Sequence, residues 1–201
     1  MAIKRSLSGF AFFVLMTSQI LAKGKVLISE PFLQDPHFER SVIYLVKHNA
    51  EGSLGFVLNN KIASDMNKQL KGELGVKNDL YQGGPVELNT LHFLHQNDAI
   101  QDAVEIQKGI FWGGHIEQAI QTIEILPQSQ SAYKFFLGYS GWAAGQLQEE
   151  VKENTWIISD IHSAFIFGEA LESQKFWSKM MKKQGTDWQL LSNAPKHYFL
   201  N

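Results

Sequence analysis

Ser140 is the side chain whose setting comes nearest to a known chemistry. The run Gly138-Tyr-Ser-Gly-Trp142 almost spells the G-x-S-x-G elbow, in which glycines let a serine stand above a sheet as a nucleophile. Trp142 takes the place of the second glycine, and an indole cannot pack as that glycine does. Nothing in the spacing of His48, His92, His95 or His162 selects one of them as the base. Two readings stay open, a hydrolase using Ser140 and a turn serine that satisfies local backbone groups.

The remaining chemistry-bearing residues are weaker signals. His92-x-x-His95 would share a face on a helix, but Leu91, Phe93 and Leu94 read as a strand, where positions three apart point to opposite faces. Asp160-x-His162 supplies two ligands, too few for a metal site. Gly83-Gly84-Pro85 lacks the lysine and hydroxyl of a phosphate loop, and its proline removes a backbone donor. Lys175, Lys179, Lys182 and Lys183 form one helical stripe, the usual solvated face opposite an apolar one. Arg40 leads into an apolar strand, so its guanidinium needs a partner, and Asp35 or Glu51 is the expected carboxylate.

The elements that must position these groups are legible in outline. Lys25–Ser29 reads as a first strand, followed by Asp35-Pro36 as a cap and first position of a short turn. Ser41–Val46 and Leu54–Leu58 form a hairpin through His48–Ser53, with Asn49 and Gly52 supplying turn geometry. A helix is expected from Ser64-Asp65 to near Gly72, then a turn at Gly83–Val86 entering a strand at Leu91–Leu94. Val104–Ile106 and Ile110–Trp112 read as a hairpin around Lys108-Gly109. Ile116, Ile120, Ile123 and Leu126 fall at helical spacing, ended by Pro127. Tyr133–Leu137 is a strand, Gly138–Gly145 a glycine-rich turn, Gln146–Lys152 a helix, Thr155–Ser159 a strand and Ser173–Gln184 a helix. Strands and helices mix without βαβ alternation, which favours α+β.

Composition narrows the function classes. The chain has 201 residues, 44% of them hydrophobic, and a formal net charge of -2. Setting aside the first 22 residues, with Lys4 and Arg5, leaves 16 basic against 20 acidic groups. That is no footprint for nucleic acid, and direct DNA binding is not expected. With no cysteine, thiol catalysis and cysteine-bound zinc are excluded. Lys4 and Arg5 before the apolar run Gly9–Met16 have the shape of an export signal, against which Ile20 is large for the third position before a cut after Ala22. The alternative is a variable amphipathic leader, and the run is too short to span a bilayer. No linker or repeat appears, so residues 23–201 are expected to form one domain after a leader of residues 1–22.

Several of these stretches, taken in order, carry a family resemblance. They are Leu27–Val42, His48–Asn59, Gly83–Val86, Leu94-His95, Phe136–Gln146 with Glu150, and Asn154–Trp156. Together they resemble the AlgH family, also called YqgE. The resemblance implies an α+β fold with a coiled, partly barrel-like mixed sheet surrounded by helices. It also implies a bacterial, generally cytosolic protein; export is the alternative if residues 1–22 are a cleaved signal. Members bear the label of transcriptional regulator, but no biochemical activity is settled for the family, and no catalytic residue or cofactor carries over. The expectation is therefore a non-enzymatic regulator that contacts a protein or small-molecule partner. Its candidate binding set is Asp35, Phe38, Arg40, His48, Asn59, Ser140, Trp142 and Gln146. An exposed Trp142 would be its recognition anchor.

Overall fold

Val42, Ile43, Tyr44, Leu45 and Val46 are all buried, a continuous apolar run that only a strand covered on both faces accommodates. This run lies in β2 (Val42–Asn49), which pairs antiparallel with β1 (Val26–Ser29) and β3 (Gly52–Val57). The computed structural model describes residues 20–168 and 173–193. The leader of residues 1–22 falls almost wholly outside them.

The other strands are β4 (Leu80–Gln82), β5 (Val86–His95), β6 (Val104–Gln107), β7 (Ile110–Trp112), β8 (Tyr133–Ala143) and β9 (Trp156–Ser159). The helices are α1 (Ser64–Leu74), α2 (Ile116–Ile125), α3 (Gln146–Lys152), α4 (Ser163–Phe167), α5 (Ser173–Lys182) and α6 (Thr186–Leu191). The strands form one sheet in the order β6-β7-β5-β8-β3-β2-β1-β9, with β4 added parallel to β8 and every other pairing antiparallel. The fold is α+β, as expected. The sheet is not closed into a barrel: β6 and β9 stand at its two ends.

The long strand β8 belongs to two half-sheets at once. Its first half, Tyr133–Leu137, pairs with β5 and β4, whereas Ser140–Ala143 pairs with β3. Between them Gly138 has φ +65 and the β5 register jumps from Val86 to Leu91, a bulge that turns the strand. Three apolar clusters follow. Val42, Tyr44 and Val46 pack with Phe56 and with Trp177, Met180 and Met181 of α5. Ile43 and Leu45, on the opposite face, pack with Trp142, Leu147 and Trp156. Phe93 and Phe135 pack with Ala119 and Ile123 of α2.

Two expectations change. The Gly138–Gly145 turn is mostly strand: β8 continues to Ala143, because glycines that look like turn formers instead permit close approach of β4 and β5. Helix α1 passes through Gly72 and stops at Gly75, whose left-handed φ of +67 is the actual C-cap. Leu70 and Leu74 pack on the α2 cluster and carry the helix past the weak position. The three-residue β4 gave too short a pattern to read.

A side chain at Gly84 would place its Cβ on the Tyr139 carbonyl and the Ser140 amide, both backbone, whereas a Cβ at Gly75 meets nothing within 4 Å. Gly84→Ala is therefore expected to cost about 3 kcal/mol. Gly75→Ala is expected to cost only the left-handed penalty, about 1 kcal/mol. Urea unfolding of the two variants checks the difference.

Candidate functional site

The turn Asp35–Arg40, the β2–β3 hairpin and the second half of β8 adjoin. Asp35 Oδ1 accepts from the amides of His37 (2.8 Å) and Phe38 (3.2 Å), so Asp35 caps the turn that presents Phe38. The Phe38 ring stacks on Trp142 with centroids 6.3 Å apart and meets the edge of Trp156 at 5.7 Å. Ser53 pairs with Trp142 across the sheet, and its hydroxyl lies 2.7 Å from His48 Nδ1. Asn59 accepts from the Val42 amide (2.9 Å) and donates to the Arg40 carbonyl (2.8 Å), tying the turn to the start of β2.

Arg40 is only 4% exposed, and its guanidinium lies 4.6 Å from the centre of the Trp177 ring on α5. Burial disfavours its charge, and neighbouring Glu39 favours it. Asp35 caps the turn through Oδ1, and Glu51 lies 3.2 Å from Lys47. With φ +53, Arg40 holds a left-handed conformation that directs its side chain to the helix. Its role here is to fasten α5 to the turn.

Two expectations about β8 are corrected. Trp142 is 6% exposed and is no surface anchor. Its Nε1 donates to Glu150 Oε2 (2.9 Å), the same oxygen that accepts from Trp156 Nε1 (2.7 Å). Gln146 Nε2 donates to the other Glu150 oxygen (2.9 Å), while Gln146 Oε1 accepts from the Ala143 amide (3.0 Å). Glu150, absent from the expected set, is thus the hub of this network. Ser140 is fully buried and donates to the Gly83 carbonyl (3.0 Å), so it presents no nucleophile. The reason is period two: in a strand, Ser140 and Trp142 share the inward face, while Tyr139 and Gly141 share the outward one.

An open depression of about 400 Å³ lies at this end of the sheet, with Lys47, Glu51, Leu54, Val86, Tyr139 and Gly141 on its walls and Ser53 and Trp142 also reaching it. Leu54 and Gly141 sit directly opposite one another in the ladder. The missing side chain at Gly141 leaves the Tyr139 ring and Leu54 uncovered on this side.

The histidines behave as structural groups. His95 is fully buried, with Nε2 3.0 Å from the Gly113 carbonyl, and Nδ1 accepts from the Asn97 amide (3.3 Å). Burial holds its pKa below the usual value, so it is neutral at pH 7. His92 lies among Phe56, Trp112 and Tyr139, with Nε2 2.9 Å from the Thr90 hydroxyl. His162 caps α4, accepting from the Ala164 amide, and Asp160 pairs with Lys25 at 2.6 Å. No group of three potential metal ligands occurs among the described residues. Lys179 and Lys183 of the basic stripe lie over the Phe165 ring.

One residue escaped the sequence reading. Lys134, between Tyr133 and Phe135, is 7% exposed, and its Nζ sits 3.8 Å from the centre of the Tyr81 ring. Burial, helped by the nearby Lys61 charge, pulls its pKa down to about 7. The available signal was a lysine inside an otherwise apolar strand.

The fold and site thus define an α+β protein on one mixed open sheet, with a packed aromatic junction beside an open depression. A family model described as AlgH-like matches residues 26–189. A UPF0301 protein of Cytophaga hutchinsonii is 40% identical over 178 residues, covering 88% of this chain and 97% of its own. One from Chlorobaculum parvum is 37% identical over 179 residues, covering 89% and 95%. The solution structure of AlgH from Pseudomonas aeruginosa superposes with a TM-score of 0.64 at 27% identity, covering 87% of this chain and 95% of that one. A crystal structure of a Corynebacterium diphtheriae protein shares the fold with a TM-score of 0.70 at 19% identity, covering 87% and 93%. The chain belongs to the AlgH-like family.

Two measurements test this reading of the site. Glu150→Ala orphans two indole donors and is expected to cost about 2–4 kcal/mol, with a shift in tryptophan emission on the native protein. Lys134 binds its proton in the unfolded chain up to the ordinary value of 10.5 but in the folded protein only up to about 7. Its contribution to stability therefore rises with pH between those values, and the charge penalty is fully present below them. The stability difference between Lys134→Met and the parent, from urea unfolding, is expected to favour the variant most near pH 6. It should then shift steadily towards the parent as pH approaches about 10.

Proposed function

We propose that this protein is a non-enzymatic regulatory binding protein that receives a protein segment or small ligand in the depression beside Tyr139. The observation that carries the reading is the open depression walled by Leu54, Val86 and Tyr139 beside the packed aromatic junction. An uncovered tyrosine ring next to an aliphatic wall, with Lys47 and Glu51 at the rim, offers both apolar area and polar direction. Ser140, the one hydroxyl with a nucleophile-like sequence context, is spent on the Gly83 carbonyl. Among the described residues no helix is long and apolar enough to cross a membrane. A cytosolic setting, a role in transcription and indirect rather than direct action on DNA belong to this proposal.

The test is capture of tagged protein from its own cells, with and without nuclease, beside a Leu54→Asp/Tyr139→Ala variant. Both substitutions lie on the outward face and are expected to leave the aromatic junction folded. Discrete partners lost in the variant and indifferent to nuclease support the proposal. Recovery that depends on nucleic acid replaces it with a nucleic-acid reading. Hydrolysis of model esters that disappears in a folded Ser140→Ala protein would replace it with an enzyme.

A further inference from the structure

Helix α1 packs Leu70 and Leu74 on the α2 cluster, whereas Ser64, Asn67, Lys68 and Lys71 follow i, i+3, i+4, i+7 and share the adjoining face. Asn67, 3% exposed, pins that face to the neighbouring chain. Its Nδ2 donates to the Ile62 carbonyl (3.2 Å) and the Leu80 carbonyl (3.1 Å), and its Oδ1 accepts from the Leu80 amide (3.2 Å). The helix is thereby held against the start of β4, just after Asp79. Lys61, before the helix, bridges to Tyr81 of the same strand.

These segments border a depression of about 180 Å³ lined by Lys61, Ser64, Asn67, Lys68, Lys71 and Asp79. Asp79 takes Lys61 on Oδ2 (2.5 Å) and Lys71 on Oδ1 (3.4 Å), so one carboxylate draws together two ammonium groups that would otherwise repel. The hydrogen bond from Lys61, with the charges of both lysines, holds the Asp79 carboxyl below its ordinary value against its partial burial. The brace is therefore charged at neutral pH. Each ammonium has three donors, and Asp79 engages one from each. With Lys68 also on the wall, three positive charges face one negative, a surplus of two.

We propose that this depression binds a phosphate group, free or on a small ester, through donors from Lys61, Lys68 and Lys71 and the Ser64 hydroxyl. The charge surplus matches a phosphate dianion, and lysines serve phosphate as point charges. Asp79 keeps one donor of each paired lysine, and the phosphate oxygens take the others. The volume lies below the roughly 300 Å³ at which pockets for drug-sized ligands begin, so a phosphate with a short carbon chain suits it. The depression beside Tyr139 shares no lining residue with it, and the two sites stand or fall separately.

The experiment is titration of the isotopically labelled full chain with inorganic phosphate and, separately, glycerol 3-phosphate, at constant ionic strength, read from amide chemical shifts. Saturable shifts centred on residues 61–71 and 79–81 are expected, with affinity rising several-fold between pH 5.5 and 7.5 as the dianion forms. Lys61→Gln/Lys71→Gln is expected to lower affinity by about tenfold or more. Lys108→Gln/Lys182→Gln, which removes the same charge from other surfaces, is expected to leave it unchanged. The amide spectrum of each variant establishes that it is folded, and Lys68→Gln, at a more exposed position, gives an independent loss of several-fold. Tighter binding of the ester assigns a small phosphorylated ligand and tighter binding of the ion assigns free phosphate; either upholds the site. Shifts that do not saturate, shifts spread equally over the α5 lysines, or a folded Lys61→Gln/Lys71→Gln protein that binds as the parent does overturn the proposal.

Discussion

The structure depends on how closely three backbone segments approach at Gly83, Gly84 and Gly138. The Gly83 carbonyl accepts from both the Val57 amide (2.9 Å) and the Ser140 hydroxyl (3.0 Å), and the Gly83 amide donates to Leu137 (2.8 Å). One residue thus joins β3, the end of β4 and the middle of β8. A Cβ at Gly138 would meet the Val86 carbonyl, so the kink that lets β8 serve two half-sheets requires a residue with no side chain. Remove this contact and the two half-sheets lose their common strand.

That constraint fixes the surroundings of the site. Because β8 stays in strand geometry through Trp142, alternate residues go to opposite faces, and Ser140 and Trp142 are buried while Tyr139 is half-buried and Gly141 exposed. Phe38, Trp142 and Trp156 meet edge and face around Glu150, a carboxylate that satisfies two indoles at once. A polar group at the centre of an aromatic cluster is tolerable only when its partners are complete, and here two indoles and an amide supply them. The glycine that permits the ladder at position 141 also leaves Tyr139 and Leu54 accessible.

The far end of the same strand obeys a different balance. Lys134 sits against the Tyr81 ring, and burial, with a smaller contribution from the Lys61 charge, acts against its proton. The Tyr81 ring offsets only part of this, since a cation–π contact contributes about 1–2 kcal/mol.

Much of the fold was legible locally. The β2–β3 and β6–β7 hairpins, the helical spacing of Ile116, Ile120 and Ile123, and the cap at Asp35 all rest on short-range rules, and each of these elements stands near the residues expected. The ordered motifs also identified the family. What local pattern could not decide was the meaning of the glycines between Gly138 and Gly145. A glycine that turns the chain and a glycine that admits another backbone look the same in sequence, since both need only the absence of a side chain. Which one is present depends on whether β3, β4 and β5 arrive alongside. For that reason Trp142, offered as an exposed anchor, proves buried, while Tyr139 and Lys134 passed without notice. The sequence by itself determined the elements and the kinship of this protein; the long-range pairing of β8 decided which of its side chains meet solvent and which lose it.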